Sequence, residues 1–217
     1  MEKKEYHRAN LPHYQQPGQA YFVTWSLKDA IPAKAMKDYS DQLTSLRLQI
    51  ETSTRDGNQK LCAELNQQYY LVRKKMMKAY EGLLHLASKP IVDLSAAEYV
   101  QIVIDALTFW QDKKLCNYAI CVMPNHVHWV FRLLEKDASD NPVYLEDVLK
   151  SVKQFSATEI NKRAGITGRL WHKESWDTTI RDDRHLYAAI EYTQNNPVEA
   201  GLVTDCNDWK GTVVFEK

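Results

Sequence analysis

The sequence predicts an α+β protein in which helices cover an antiparallel sheet and a helical hairpin is inserted near the beginning. Three observations predict this class. The 217 residues are 44% apolar and 11% aromatic with only seven glycines and seven prolines, which favours a folded core over disorder. Short β-branched and aromatic runs alternate with segments of helical periodicity. The order of these elements is β, insertion, α, β, β, α, β, α.

Charge, apolar runs and cysteines restrict the function classes. Because 28 Lys and Arg residues oppose 28 Asp and Glu residues, indiscriminate binding to nucleic acid or membranes is not expected, and such binding must be local. No apolar run approaches the roughly 20 residues that span a bilayer, so we expect a cytoplasmic protein with no membrane partner. The four cysteines form no C-x-x-C pair, which favours reduced thiols. Cys116 and Cys121, five positions apart, should face opposite sides of a strand.

The first strand and the insertion follow from two kinds of periodicity. Residues 21–27 are a β-branched and aromatic run after turn residues, which predicts a strand. Residues 33–88 contain two stretches of three- and four-residue apolar spacing around a turn at 54–58, which predicts an antiparallel helical arm. The arm is inserted into a single domain spanning 1–217. It is either a packed hairpin or a dimerisation arm, so the chain is expected as a monomer or a homodimer.

The middle of the chain predicts a helix and a β-hairpin. Ser95 and Glu98 have the spacing of a capping box ahead of an amphipathic helix that reaches Trp110. Strands are predicted over 115–122 and 126–134, and the short turn between them indicates that they pair.

The last third predicts two helices around one strand. A helix runs from 145 to the glycine at 165, and residues 170–180 form a turn and a strand. Asp182 or Asp183 caps the final helix. This helix should stop near Asn196, because a residue that precedes proline avoids the helical region.

Two histidines share one face of the strand that begins at residue 126. Side chains two positions apart on a strand point the same way, so His126 and His128 lie side by side, while Val127 and Trp129 face the other side. Two adjacent neutral imidazoles suit a divalent metal ion. The alternative is a pair of partly exposed strand histidines without a metal, and a third ligand is needed to decide.

The final helix carries a tyrosine that is available for chemistry. Tyr192 and Asn196 are one turn apart and share a face, which also holds His185. The apolar stripe of this helix lies elsewhere, so Tyr192 is predicted to lie off the core side. The alternative is a half-buried structural tyrosine with its hydroxyl hydrogen-bonded.

Three motifs together resemble a known family. MPNHVHWVF at 123–131, LWHKESWDTTIRDD at 170–183 and EYTQNNPVEAGLV at 191–203 occur in the order and spacing of the REP-associated tyrosine transposases. This family belongs to the single-tyrosine HUH transposases of insertion sequences. The likeness starts at residues 11–27, skips the helical arm and resumes from about residue 80 to 209.

The resemblance implies a ferredoxin-like core and a metal-dependent endonuclease and strand transferase that acts on single-stranded DNA. His126 and His128 match the metal ligands of the family, and Asn196 matches the polar residue that completes the metal site. Tyr192 matches the nucleophile, which forms a covalent 5′-phosphotyrosine bond. Mg²⁺ or Mn²⁺ is the implied ion, no nucleotide cofactor is implied, and His185 is a candidate base by proximity on the helix.

The implied partner is single-stranded DNA that forms hairpins, such as REP sequences. Cations that follow the backbone and aromatic rings that stack on bases would hold it. His13 is expected to help read the foot of the hairpin. The other candidate DNA-binding residues are Lys150, Lys153, Arg163, Arg169, Trp171, Arg181 and Arg184. Residues 145–185 carry eight Lys and Arg but also seven Asp and Glu, so a solvated surface of mixed charge is the alternative.

Two other functions compete with this interpretation. A non-catalytic, sequence-specific single-stranded nucleic-acid-binding module could retain the fold, with Tyr192 stacking on a base instead of attacking a phosphate. A relaxase or replication initiator would use a metal ion in the same way, but the match over the motifs at 170–183 and 191–203 disfavours this interpretation.

Overall fold

The computed structural model describes residues 6–8, 12–14, 16–32, 34–86 and 90–215, and for 6–8 and 12–14 it describes the backbone alone. Contacts divide the chain into two compact units. The helical arm, residues 29–88, is one unit, and the rest of the chain is the other.

A five-stranded antiparallel sheet forms the centre of the larger unit. The strands are β3 (Ala20–Ser26), β4 (Leu115–Val122), β5 (His126–Leu133), β6 (Trp176–Thr179) and β7 (Thr212–Val214). Their spatial order is β6-β3-β5-β4-β7. Three helices accompany them, α3 (Ala97–Thr108), α4 (Leu145–Ala164) and α5 (Asp183–Glu199). The succession β3-α3-β4-β5-α4-β6 is the βαββαβ pattern of ferredoxin-like folds, so the predicted fold class is confirmed.

Helix α5 covers one face of the sheet, here called the α5 face. An apolar cluster joins the two layers: Phe22, Ala119 and Val130 of the sheet pack with Leu186 and Ala189 of α5. This burial follows from sequence, because the small and branched residues of α5 recur at three- and four-residue steps.

Helices α3 and α4 cover the opposite face, here called the α3/α4 face. Asn117 connects the sheet to α3: its side chain accepts a hydrogen bond from Trp129 Nε1 and donates one to the Leu107 carbonyl. Trp171 connects the sheet to α4, because it packs on Trp25 and donates from Nε1 to Ser156 Oγ. Large aromatic side chains therefore fill this layer.

A β-bulge reverses the predicted orientation of one cysteine. The register between β4 and β5 shifts between Asn117 and Ala119. Cys116 therefore pairs with Arg132 and Cys121 pairs with His128, on the same face of the sheet. The prediction of opposite faces is wrong because it assumed unbroken alternation.

Two predicted helix boundaries are also corrected. Ser95 does not cap α3; its Oγ donates to Asp93 Oδ1 at 2.6 Å, and the cap residue Ala96 makes no side-chain bond. Helix α5 does not stop at Asn196 but continues through Pro197 to Glu199. A proline in the last turn costs one N–H bond, and the turn is retained by the bond from the Ala200 N–H to the Asn196 carbonyl at 2.9 Å. The predicted cap at Asp182 is confirmed, with Oδ1 accepting from the His185 N–H.

The arm contains the two predicted helices, α1 (Lys37–Arg55) and α2 (Gln59–His85). The turn between them is held by Asn58, whose side chain accepts from the Leu61 N–H. Leu43 of α1 and Leu65 of α2 are buried.

The N-terminal segment contributes a two-stranded antiparallel ribbon of β1 (Tyr6–Arg8) and β2 (Pro12–Tyr14). The side chain of His13, a predicted DNA contact, lies outside the described residues. Among the helices of the described residues, none is both long and apolar enough to cross a membrane.

Candidate active site

The two histidines of β5 meet on the α5 face of the sheet. Their Nε2 atoms are 3.0 Å apart, and the rings are nearly perpendicular, at 85°. His126 is 1% exposed and His128 is fully buried. Two ligands at right angles on a cation, with bonds of about 2.1 Å, have their nitrogen atoms about 3 Å apart. The spacing therefore fits two neighbouring positions of one coordination shell.

The other nitrogen of each ring is held by a neighbouring polar side chain. His126 Nδ1 lies 2.7 Å from Asn125 Oδ1, so this nitrogen donates and Nε2 carries the ring's lone pair. His128 Nδ1 lies 2.8 Å from Thr24 Oγ1, across the β3–β5 pairing. The threonine hydroxyl can accept or donate. Outer hydrogen bonds of this kind fix the tautomer and orientation of metal-binding histidines.

Helix α5 brings the predicted tyrosine to the histidines. The ring centroids of Tyr192 and His128 are 5.4 Å apart at 80°, and Phe22 contacts the same tyrosine ring at 5.7 Å. Tyr192 is half-buried and packs against the apolar cluster. The prediction that it lies off the core side is therefore corrected: the layer beneath α5 carries the histidines themselves, so the core side and the site side coincide.

Asn196 lies one turn after Tyr192 and is fully buried. Neither its Oδ1 nor its Nδ2 has a hydrogen-bond partner among the described residues. A buried amide without partners costs about 1–3 kcal/mol. An unpaired amide oxygen on the helix face of Tyr192 is the donor atom that a metal site with two imidazoles lacks.

The donor set restricts how a cation would be held. Within the described parts of the chain, no group of three His, Cys, Asp or Glu residues could bind a metal ion. Cys121 pairs with His128, but burial raises the pKa of its thiol to about 12, so it stays protonated near neutral pH. His126, His128 and the Asn196 amide offer a mixed set of two imidazole nitrogens and one amide oxygen, which is compatible with a divalent cation that completes its shell with water or phosphate oxygens.

His185 lies at the beginning of α5, two turns before Tyr192. Seven residues of helix separate the two by about 10 Å along the axis. Direct proton transfer between these side chains is excluded at that distance. The predicted role of His185 as the base is therefore not supported.

Five of the predicted DNA-binding residues are exposed. Lys150 and Arg163 are exposed on α4, where Arg163 pairs with Glu98 at 3.6 Å. Arg169 is exposed in the loop after α4, and Arg181 and Arg184 are exposed at the beginning of α5.

Two of the candidates are structural. Trp171 is 4% exposed and its Nε1 donates to Ser156, so base stacking is excluded in this conformation. Lys153 is largely enclosed, and its Nζ donates to Ser175 Oγ at 2.8 Å and to the His172 carbonyl at 3.1 Å. Burial lowers the pKa of Lys153 to about 8, partly offset by Glu174. This lysine anchors the loop before β6.

Sequence reasoning missed Thr24 and Asn125, which orient the two histidines. Asn125 immediately precedes His126, and a polar residue at a strand entry was available as a signal. Thr24 becomes adjacent to His128 only through strand pairing, so no local pattern indicates it.

The sequence and the fold are each similar to known proteins of one family. No protein-family model matches the sequence. A curated relative from Haemophilus influenzae (strain ATCC 51907 / DSM 11121 / KW20 / Rd), described as a putative REP-associated tyrosine transposase, is 30% identical over 98 residues. The chain resembles the REP-associated tyrosine transposases. The matched region is 42% of this chain and 54% of the relative, so the chain spans about half the length of that transposase.

A solved structure shows the same fold. It is described as a REP-associated tyrosine transposase bound to a REP hairpin, and it matches 97% of this chain and 82% of its own with a TM-score of 0.52 at 16% identity. The resemblance to the REP-associated tyrosine transposases therefore holds both for part of the sequence and for the fold.

Proposed function

We propose that this protein is a REP-associated tyrosine transposase. In this proposal it is a metal-dependent endonuclease and strand transferase that acts in the cytoplasm on single-stranded DNA hairpins without a nucleotide cofactor. The convergence of Tyr192 with His126 and His128 is the observation that carries the proposal. The REP hairpin named for the structural neighbour supports this substrate class.

In the proposed reaction Tyr192 Oη attacks a phosphorus atom of the DNA backbone. The new bond joins the tyrosine oxygen to phosphorus, and the bond from phosphorus to the 3′ oxygen breaks. The phenol loses its proton and the departing 3′ oxygen gains one, which leaves a 5′-phosphotyrosine and a free 3′-hydroxyl. Attack by another 3′-hydroxyl reverses the step at a new junction, so joining needs no external energy source.

The residues around Tyr192 orient the reacting groups. Phe22 and His128 flank the tyrosine ring, which restricts the direction of its hydroxyl. Thr24 and Asn125 hold the imidazoles with both Nε2 atoms turned to one point. His126, His128 and Asn196 would hold the divalent cation, which when bound supplies positive charge to stabilise the phosphate as it is attacked.

A covalent-adduct assay tests the proposal. The wild-type chain is incubated with end-labelled single-stranded hairpin DNA and Mn²⁺, and SDS-resistant protein–DNA adducts are resolved on a gel. Tyr192→Phe should remove the adduct, because only the hydroxyl is lost. The matched control is Tyr187→Phe on the same helix, where the tyrosine is 62% exposed, and it should retain the adduct.

Two outcomes would contradict the proposal. An adduct that persists in Tyr192→Phe would assign the nucleophile elsewhere. The second outcome is that the wild-type chain binds hairpins tightly but forms no adduct with any of them. If Tyr192→Phe then binds hairpins as the wild type does and Tyr192→Ala does not, Tyr192 acts as a stacking residue in a binding module.

A further inference from the structure

The helical arm carries a cationic surface that the proposed site does not use. Between Glu64 and Glu81, a stretch of α2 contains four Lys or Arg residues and no acidic residue, although the chain as a whole has equal numbers of both. Lys74, Lys75 and Lys78 of this stretch are exposed. None of these three lysines forms an ion pair within the described part of the arm.

The three lysines lie on the side of α2 opposite its buried residues. Leu65, Met76 and Tyr80 are the buried residues of this stretch and define the packed side of the helix. At 100° per residue, Lys74, Lys75 and Lys78 cluster on the opposite side. Exposed residues preceding them complete the surface, since Tyr70 is 58% and Leu71 is 49% exposed. These five residues are called the α2 stripe below.

We propose that the α2 stripe binds the phosphate backbone of the hairpin DNA on which the enzyme acts. The inference names a surface for the substrate of the proposed function and therefore rests on it. Lys74 and Lys78 are separated by about 6 Å along the helix axis, and long flexible side chains let each reach a different phosphate. The ring of Tyr70 continues this row one turn earlier, where it can stack on a base or sugar.

An anionic membrane is a poorer fit for the same charge. Membrane-surface helices insert an apolar face between lipid headgroups. Leu65, Met76 and Tyr80 of α2 are already buried, which leaves only Tyr70 and Leu71 as exposed apolar residues of the stripe. Three lysines alone, at about 1 kcal/mol each near an anionic surface, give only weak adhesion.

The test measures hairpin binding by the full chain, in chelator so that no cleavage occurs. The variant is the triple substitution Lys74→Gln, Lys75→Gln and Lys78→Gln, and binding is followed by fluorescence anisotropy between about 50 and 200 mM KCl. The affinity should fall about tenfold or more at the lower salt concentration. The slope of log affinity against log salt should decrease by about 2–3, since each phosphate contact contributes about 0.9.

The matched control removes the same charge elsewhere on the arm. Lys34→Gln, Lys37→Gln and Arg55→Gln change three exposed cations of the first half of the arm. This control should keep the wild-type salt slope. A hairpin of scrambled sequence should lose affinity for the stripe variant by the same factor as the original, because backbone contacts carry no sequence information.

The outcomes separate this inference from the proposed function. Equal effects of the two triple variants, or none, would overturn the α2 stripe as a contact. Loss of binding to phosphatidylserine vesicles with unchanged hairpin binding would also overturn it. If the stripe variant binds hairpins weakly but still forms the Tyr192 adduct at saturating protein, both proposals are supported. If the wild-type chain forms no adduct while the stripe still governs binding, the enzymatic proposal fails and the DNA surface stands.

Discussion

The two faces of the central sheet are buried to a similar extent but carry different kinds of side chain. On the α3/α4 face, Trp129 and Phe131 are fully buried and stack at 3.7 Å between centroids. On the α5 face, His126 and His128 alternate with them along the same strand and are buried to the same extent. Aromatic packing stabilises the first arrangement directly, whereas buried imidazoles cost free energy unless each nitrogen has a partner.

The two faces also differ in how many of their buried polar atoms have a hydrogen-bond partner. The α3/α4 face satisfies the polar atoms of Asn117 within the protein, whereas the indole N–H of Trp25 and the Oδ1 of Asn161 on α4 have no hydrogen-bond partner among the described residues. The α5 face instead leaves a complete amide unsatisfied at Asn196. Polar groups that are buried without an internal partner are expected where the missing partner is a ligand. Substitutions on the two faces should therefore separate activity from stability.

Among substitutions in the sheet, the largest effect on the rate of adduct formation is expected for His126→Ala on the α5 face. Removing one imidazole should lower the rate of adduct formation by about 10²–10³-fold, because a ligand for the proposed cation is lost. The measurement is a time course of SDS-resistant adduct with Mn²⁺, accompanied by hairpin binding in chelator. Binding should stay at the wild-type level. A parallel loss of hairpin binding would show that His126 supports the fold or the DNA surface and not the chemistry.

The mirror substitution on the other face is Trp129→Ala. Deleting this fully buried indole removes its packing and its bond to Asn117, which should lower the free energy of unfolding by about 3–5 kcal/mol. Urea unfolding followed by circular dichroism measures the change. At low temperature, the fraction that remains folded should form adduct at the wild-type rate. A rate defect in that fraction would mean that the two faces are coupled.

Local patterns predicted most of the sheet but not its details. Periodicity and turn residues identified β3, β4, β5 and β6. Strand β7 was missed because three residues at Thr212–Val214 are too short to show alternation. It is fixed instead by tertiary contacts, since Trp209 Nε1 donates to the Val122 carbonyl and a Cβ at Gly211 would overlap the same oxygen.

The candidate site was predictable in part for a similar reason. The pairing of His126 with His128 follows from the two-residue period of a strand, which is a local rule. The approach of Tyr192 to His128 depends on how α5 packs across the sheet, and no spacing in the sequence encodes that distance. The resemblance to a family supplied it. Neither the local pattern nor the family resemblance indicated Thr24, because only the register of the β3–β5 pairing brings it to His128.

A third substitution, Lys153→Met, tests the largely enclosed lysine of α4. Burial lowers the pKa of Lys153 from 10.5 to about 8, so the folded chain releases this proton at lower pH than the unfolded chain does. The free energy of unfolding of the wild type, measured relative to that of Lys153→Met, should therefore rise with pH between about 8 and 10.5. Below that window, Lys153 should add no pH dependence to this difference. The full change is at most about 3 kcal/mol.

The measurement is urea unfolding of both proteins across this pH range. The difference between them isolates Lys153 from other groups that titrate at high pH. Lys153→Gln is the control, because it is also neutral but keeps a donor for Ser175. A difference that is flat with pH would show that the folded lysine keeps its ordinary pKa.

The smallest effect on stability is expected for Asn196→Leu. This substitution tests directly whether the α5 face buries an amide at a cost in stability. Leucine is close to asparagine in shape and removes an amide that has no partner among the described residues, so in chelator the variant should be more stable than the wild type by about 1–2 kcal/mol. Asn195→Leu is the control on the next position of α5. Its side chain is only half-buried and reaches solvent, so no gain is expected there.

If Asn196 is a ligand, adding Mn²⁺ should make the wild type more stable than Asn196→Leu, the reverse of their order in chelator. A cation that binds only the folded chain stabilises it by about 2.7 kcal/mol at a hundredfold excess over its dissociation constant. The wild type should gain this stabilisation and Asn196→Leu should gain less, because one of three donors is gone. If Asn196→Leu is instead less stable than the wild type in chelator, the amide has a structural partner, and its burial is explained without any metal ion.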